Sequence, residues 1–324
     1  MGGHAGADPK KVVRAAMIAN GGIAIAKFVA AYLSGSATML AEGVHSIADT
    51  ANQGLLLVGI VLSARRADER FPMGRASESY FWSFIVALLL FFLGGVFAVY
   101  EGVHKLQHLG HEAAHGVPWA PMAVLGVSIA LEGGSFLVAW REFQKGRGDQ
   151  PFFDALFGGK DPVIPVVLLE DAGAMIGLVV ALVAIVIGWV TGSEIADGVG
   201  SIVIGGLLCV IGILLAKDTR SLLIGEGVSR AVKLDTIAIT EATAGVASVR
   251  QFLSLHLGPD TVLVAMKVRF VEGLSLAEVE KVTDALEANI REKHPMMKRI
   301  FVEADSDYDA AKDESAPVEA TAGA

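Results

Sequence analysis

Six long apolar runs, separated by short polar connections, fill the first two thirds of the chain and confine it to one class of fold. They cover about 12–33, 36–63, 81–103, 117–140, 162–190 and 195–216. Each approaches or exceeds the roughly 20 helical residues that cross a hydrocarbon core of about 30 Å. In lipid, backbone N–H and C=O groups must be satisfied internally, so runs of this kind are helices. Lys and Arg cluster after runs two, four and six: Arg65, Arg66, Arg70 and Arg75; Arg141, Lys145, Arg147 and Lys160; Lys217 and Arg220. Segments 34–40 and 191–197 have none, and the loop after run three has only Lys105. The positive-inside rule then places both termini on the cytoplasmic side of six crossings.

The sequence is 53% hydrophobic but still 19% charged, more than spans alone would carry, so a soluble part is expected after the last run. From residue 217 the pattern changes. A helix is expected over 229–242, alternating strands over 249–257 and 261–271 around Gly258-Pro259-Asp260, an amphipathic helix over 276–293 and a last strand over 299–304. The predicted fold class is an α-helical membrane protein, with six transmembrane helices and an αββαβ appendage. The expected divisions are an N-terminal cytoplasmic segment 1–11, a transmembrane domain 12–216, a cytoplasmic α+β domain 217–305, and an acidic, Ala-rich tail 306–324 expected to be disordered. No small-residue cleavage site follows the first apolar run, so no cleaved signal peptide is expected.

Deep polar residues point to chemistry. His45 and Asp49 in run two are one helical turn apart on one face, so an imidazole nitrogen and a carboxylate oxygen can converge on one cation; Glu42 and Asn52 extend the stripe. Ionisable groups at such depth are rare unless they face a cavity or a partner. Run five holds Glu170 and Asp171, which as helix neighbours point about 100° apart, so only one is expected to be an unambiguous ligand. Gly173 and Gly177 permit a close helix neighbour, read as the means of bringing Asp171 against His45 and Asp49. Glu132, beside Gly133-Gly134-Ser135, reads as a bundle-interior partner. Asn20 reads as an interhelical hydrogen bonder and Lys27 as a snorkelling cation. His104, His108, His111 and His115 in the third loop could gather cations or could be solvated residues at a helix end.

Other classes are excluded on composition. A net charge of −9 and the lack of a basic tract interleaved with aromatics argue against nucleic acid. No His-Glu-x-x-His pair or nucleophile constellation suggests an intramembrane enzyme, so no catalytic or cofactor-binding residue is expected. The single cysteine, Cys209, forms no intrachain disulfide and reads as a packing residue.

Over about 10–305 the chain resembles the cation diffusion facilitator family. The residues that carry the resemblance are 36–53 (Ser-Ala-Thr-Met-Leu-Ala-Glu-Gly-Val-His-Ser-Ile-Ala-Asp-Thr-Ala-Asn-Gln), Tyr80-Phe-Trp-Ser-Phe84 leading into Phe92-Leu-Gly-Gly-Val-Phe97, and Leu168-Leu-Glu-Asp171. They look most like the branch that holds the mitochondrial zinc exporter of animals and its bacterial relatives. The resemblance implies a homodimeric, multi-pass divalent-cation/proton antiporter, zinc being the usual cargo, in a bacterial inner membrane. It assigns the cation to His45, Asp49 and Asp171.

Where the family has a second imidazole this chain has Val167, so Glu170, a water or an amide such as Asn20 is expected to complete the shell. The oxygen-rich set leaves manganese, iron, cobalt or nickel open, with zinc expected first. A non-transporting metal-binding scaffold is the remaining alternative. The resemblance further implies a ferredoxin-like cytoplasmic domain that dimerises. The family's regulatory histidines are mostly missing there, Glu303 and Asp305 being what remains, and His256 reads as exposed beside its turn.

Overall fold

The computed structural model describes residues 7–34, 37–108, 119–191, 195–305 and 308; the side chains of 34, 37–42, 44, 45 and 119–121 lie outside that description. The helices are α1 (Pro9–Ser34), α2 (Ala37–Ser63), α3 (Glu78–Leu89), α4 (Phe97–Gln107), α5 (Trp119–Arg147), α6 (Phe152–Gly158), α7 (Val163–Thr191) and α8 (Ile195–Ile224). A π-helical segment, Leu90–Val96, joins α3 to α4 into one rod. Counting that rod once, six helices among the described residues are long and apolar enough to cross a membrane. In the soluble part follow α9 (Arg230–Glu241), β1 (Val246–Gly258), β2 (Thr261–Phe270), α10 (Leu276–Lys293) and β3 (Arg299–Ala304). The architecture is the expected one: a six-helix membrane domain and a small three-stranded α+β unit.

Within the bundle, α2 packs on α1 and α3, α1 on α5, α5 on α7, α7 on α8, and α8 on α3, the π segment and α4, which closes the circuit. The start of α1 and of α7 and the far ends of α2, α5 and α8 supply one buried apolar cluster, including Val12, Leu56, Phe143, Val167 and Leu215. Short α6 adds Ala155 and Leu156 to it. A seven-residue helix bounded by Pro151 and Gly159 carries turn signals at both ends, so from the sequence alone this stretch reads as a loop. Outward faces carry large apolar side chains such as Ile18, Ile25, Val29 and Tyr32 on α1. Lipid, not water, suits them.

Glycines seven apart on α8 bring it close to span three. Gly198, Gly205 and Gly212 of α8 meet Gly102, Gly95 and Phe91, and a Cβ on Gly205 would lie 2.6 Å from the Val99 nitrogen. Backbone therefore touches backbone, as small-residue seams allow. Cys209 packs against Gly95 in this seam. Gly173 and Gly177 prove to face α8 too, through Leu208, Ile211 and Ile204, and not α2. Their spacing was legible, but spacing names a close neighbour without saying which helix it is.

In the soluble unit β1 and β2 are antiparallel, and β3 joins β2 in parallel after the α10 crossover. Alternate residues Val262, Val264, Met266 and Val268 are buried against Leu286, Ile290 and Met297. His256 is buried, 5% exposed, where the sequence reading had it exposed. It pairs with Val262 within the ladder, before the turn begins, and so shares the strand's burial.

Asp235 ties α9 to α10, with Lys293 Nζ at 2.6 Å and His294 Nε2 at 2.8 Å. The hydrogen bond from Lys293, and after it that from His294, hold this carboxyl below its ordinary value of 3.8. A depressed carboxyl contributes stability above its unfolded value and loses it as pH falls through the folded one. On moving from pH 5 to below pH 3.8, wild type should lose more amide protection in α9 and α10 than Asp235→Asn does, as read by hydrogen exchange.

Candidate cation site

Spans two, four and five carry the deep polar residues to one region of the bundle. Asp171, 1% exposed, accepts a hydrogen bond from the Ser135 hydroxyl at 2.7 Å. Glu170, on the adjacent position of α7, turns elsewhere: its Oε2 accepts from Gln53 Nε2 of α2 at 2.6 Å. The divergence follows the helical step between neighbours. Glu170 interacts electrostatically with Asp49, Asp171 and Glu132. Glu132, 6% exposed on α5, interacts with Asp171, Asp49 and Lys27.

Lys27 of α1 therefore has an electrostatic partner in Glu132, which the sequence alone could not choose. Gly134 has nothing near a would-be Cβ and Gly133 only the tip of Met175, so the small residues beside Glu132 do not form a tight seam. Asn20 is buried, and so are Asn52 and Gln53.

His45 and Glu42 lie about one and two turns before Asp49 on α2, but their side chains are outside the described set. Among the described residues no three His, Cys, Asp or Glu side chains form a group able to hold a metal ion. The carboxyls of Asp49, Glu132, Glu170 and Asp171 are among those described, so they are not gathered closely enough to hold an ion by themselves.

Glu132 and Glu170 interact with each other and each with Asp49 and Asp171, four carboxyl groups in all, while the one ammonium, Lys27, acts on Glu132. In a low-dielectric bundle that excess is neutral only with bound cations, metal or proton. Acceptor atoms remain for them: Glu132 Oε2, Glu170 Oε1 and Gln53 Oε1 are buried with no hydrogen-bond partner among the described residues. Val167, fully buried in the apolar cluster, occupies the place one turn before Asp171 with packed methyl groups.

Two residues of this network escaped the sequence reading. In the sequence Ser135 is a small neighbour of Glu132, and Gln53 the end of the 36–53 motif. Each is polar and uncharged, and its role depends on what it meets on another helix. Removing the Ser135 hydroxyl leaves the Asp171 carboxylate less firmly oriented. With Asp171 as the expected ligand, Ser135→Ala should weaken cation affinity by about tenfold, the size of effect typical of partners that orient a ligand, as measured by titration calorimetry.

Away from this region the other candidates have partners. His104 and His108 stack with ring centroids 4.2 Å apart, and His108 Nδ1 lies 2.9 Å from the His104 carbonyl oxygen; both are exposed. His111 and His115 lie outside the described residues. Glu303 and Asp305 are at 3.2 and 2.9 Å from Lys267 Nζ. Hydrogen bonds to Asp305, then to Glu303, raise the Lys267 pKa above its usual value. Glu142, buried near the end of α5, accepts from Lys11 at 2.7 Å and Lys145 at 2.8 Å, and so ties α5 to α1.

Residues 13–224 match the family model described as the cation efflux transmembrane domain. Among curated proteins, the mouse mitochondrial proton-coupled zinc antiporter SLC30A9 (Mus musculus) is 30% identical over 264 residues, 81% of this chain and 46% of that protein. Metal tolerance protein C4 of Arabidopsis thaliana is 37% identical over 204 residues, 62% of this chain and 44% of its own. Magnetosome protein MamB of Magnetospira sp. (strain QH-2) is 25% identical over 276 residues, 85% of this chain and 88% of its own. The chain spans about half the length of the first two relatives.

Proposed function

The chain belongs to the cation efflux, or cation diffusion facilitator, family, and from that premise we propose that it exports a divalent metal cation, zinc first, in exchange for protons. The observation that carries this reading is the cluster of deep carboxyls on spans two, four and five, in excess over Lys27. We assign the cation to His45, Asp49 and Asp171, with Glu170 completing the set.

Metal binding needs a neutral imidazole and ionised carboxylates, so the ion and protons compete for the same atoms. Loading from the cytoplasmic side displaces protons, and release outside lets protons return to the ligands. Rocking of spans two and five, with one and four, against the glycine-sealed pair of three and six would expose the site to each side in turn. That seam makes three and six a suitable frame, and a homodimer in the bacterial inner membrane with both termini cytoplasmic is the assembly we infer. The similar proteins named as zinc antiporters support zinc as cargo. Val167 and the oxygen-rich set favour a second reading, export of manganese, iron, cobalt or nickel.

The test is reconstitution of the full chain in proteoliposomes. Zinc added on one side should drive proton movement to that side, and competition among the five cations ranks the cargo. Binding without coupled flux would leave a scaffold.

A further inference from the structure

We propose that Gln53 is a specificity-determining residue of the cation site: with Glu170 it supplies oxygen in place of the imidazole that Val167 omits. The inference rests on the assignment of the cation to this region. His45, Asp49 and Gln53 fall at four-residue intervals on α2, so they form one stripe along the helix. Gln53 is fully buried, and its amide nitrogen donates to Glu170 Oε2 at 2.6 Å. Glu170 in turn stands within electrostatic reach of both Asp49 and Asp171.

One hydrogen bond therefore does two things. It commits one oxygen of Glu170 to the amide, so that the carboxylate offers its other oxygen singly. It also fixes the amide, and so holds the amide oxygen in place. Both remaining atoms, Gln53 Oε1 and Glu170 Oε1, are buried and have no hydrogen-bond partner among the described residues. A buried amide oxygen and a buried carboxylate oxygen left without donors are costly unless a cation or a proton donor meets them.

Both are hard donors, suited to manganese more than to zinc. Without Gln53 the nitrogen-bearing set of His45, Asp49 and Asp171 remains, which suits zinc. Gln53 thus widens the accepted cargo toward hard cations.

The experiment compares Mn2+ and Zn2+ binding to the purified full chain by titration calorimetry. Gln53→Leu should weaken Mn2+ by about tenfold or more and Zn2+ by less than about threefold, so the preference shifts toward zinc. Gln53→Glu keeps the volume and an oxygen and, with one proton shared between it and Glu170, keeps the donor to Glu170 Oε2 as well; it should hold the Mn2+/Zn2+ ratio at or above the wild-type value and carries the test if the leucine variant does not fold. A ratio unchanged in Gln53→Leu, equal loss of both metals, or a fallen ratio in Gln53→Glu overturns the inference. Asp171→Asn separates the two levels. If it abolishes both bindings while the Gln53 variants leave the ratio alone, only the role of Gln53 fails; if it leaves both intact, the site itself is misassigned.

Discussion

Asp171→Asn is expected to abolish metal-driven proton flux in proteoliposomes while leaving the protein folded. The carboxylate is 1% exposed and accepts one hydrogen bond from Ser135, and an asparagine oxygen can accept the same bond in the same volume. What is lost is the charge. Removing one charged partner from a buried ionic group costs about 3–5 kcal/mol. That corresponds to about two to three and a half orders of magnitude in affinity. Flux should fall by a comparable factor at limiting zinc, with little change in thermal stability in detergent. His45→Ala should act in the same direction. A variant at Asp171 that pumps like wild type would remove span five from the transport pathway and with it the proposed exchange of metal for protons.

What could be read from the sequence divides along a physical line. Hydropathy reports burial in lipid residue by residue, so the six crossings were legible, and α8 differs mainly in running on to Ile224. Period-two alternation likewise exposed β2, because one of its faces is packed and the other is not. Ser229 announced the start of α9, where its side chain accepts from Val232 N–H. Each of these signals is local.

The misses are relations between segments. Gly173 and Gly177 promise a neighbour, yet α8 takes the place that the sequence reading gave to α2. The π segment at Leu90–Val96 leaves no hydropathy trace, since a widened turn changes register and not polarity. Gln53 and Ser135 acquire their meaning from Glu170 and Asp171 across the bundle. Asp49, Asp171 and Glu170 could be named as candidates because charge at depth is conspicuous. Their neutral partners are not.

The seam between span three and α8 sets up the sharpest structural contrast in the chain, because two adjacent glycines on α8 have opposite surroundings. A methyl group on Gly205 would sit 2.6 Å from the Val99 nitrogen and 2.7 Å from the Gly95 oxygen. Both neighbours are backbone, so no side chain can rotate away and the helices themselves must part. Overpacking of this kind typically costs about 1–3 kcal/mol and occasionally more. Here the cost is expected at the upper end, since parting at Gly205 also strains the contacts of Gly102 and Gly212 one period away.

A methyl on Gly206 meets nothing within 4 Å. Gly206→Ala should instead gain a little from helix propensity, about 0.5–1 kcal/mol at most. Thermal unfolding in detergent should therefore place Gly205→Ala well below wild type and Gly206→Ala at or above it. Equal behaviour of the two variants would mean that spans three and six do not meet backbone to backbone, and the frame against which the cation-binding helices are proposed to rock would be lost.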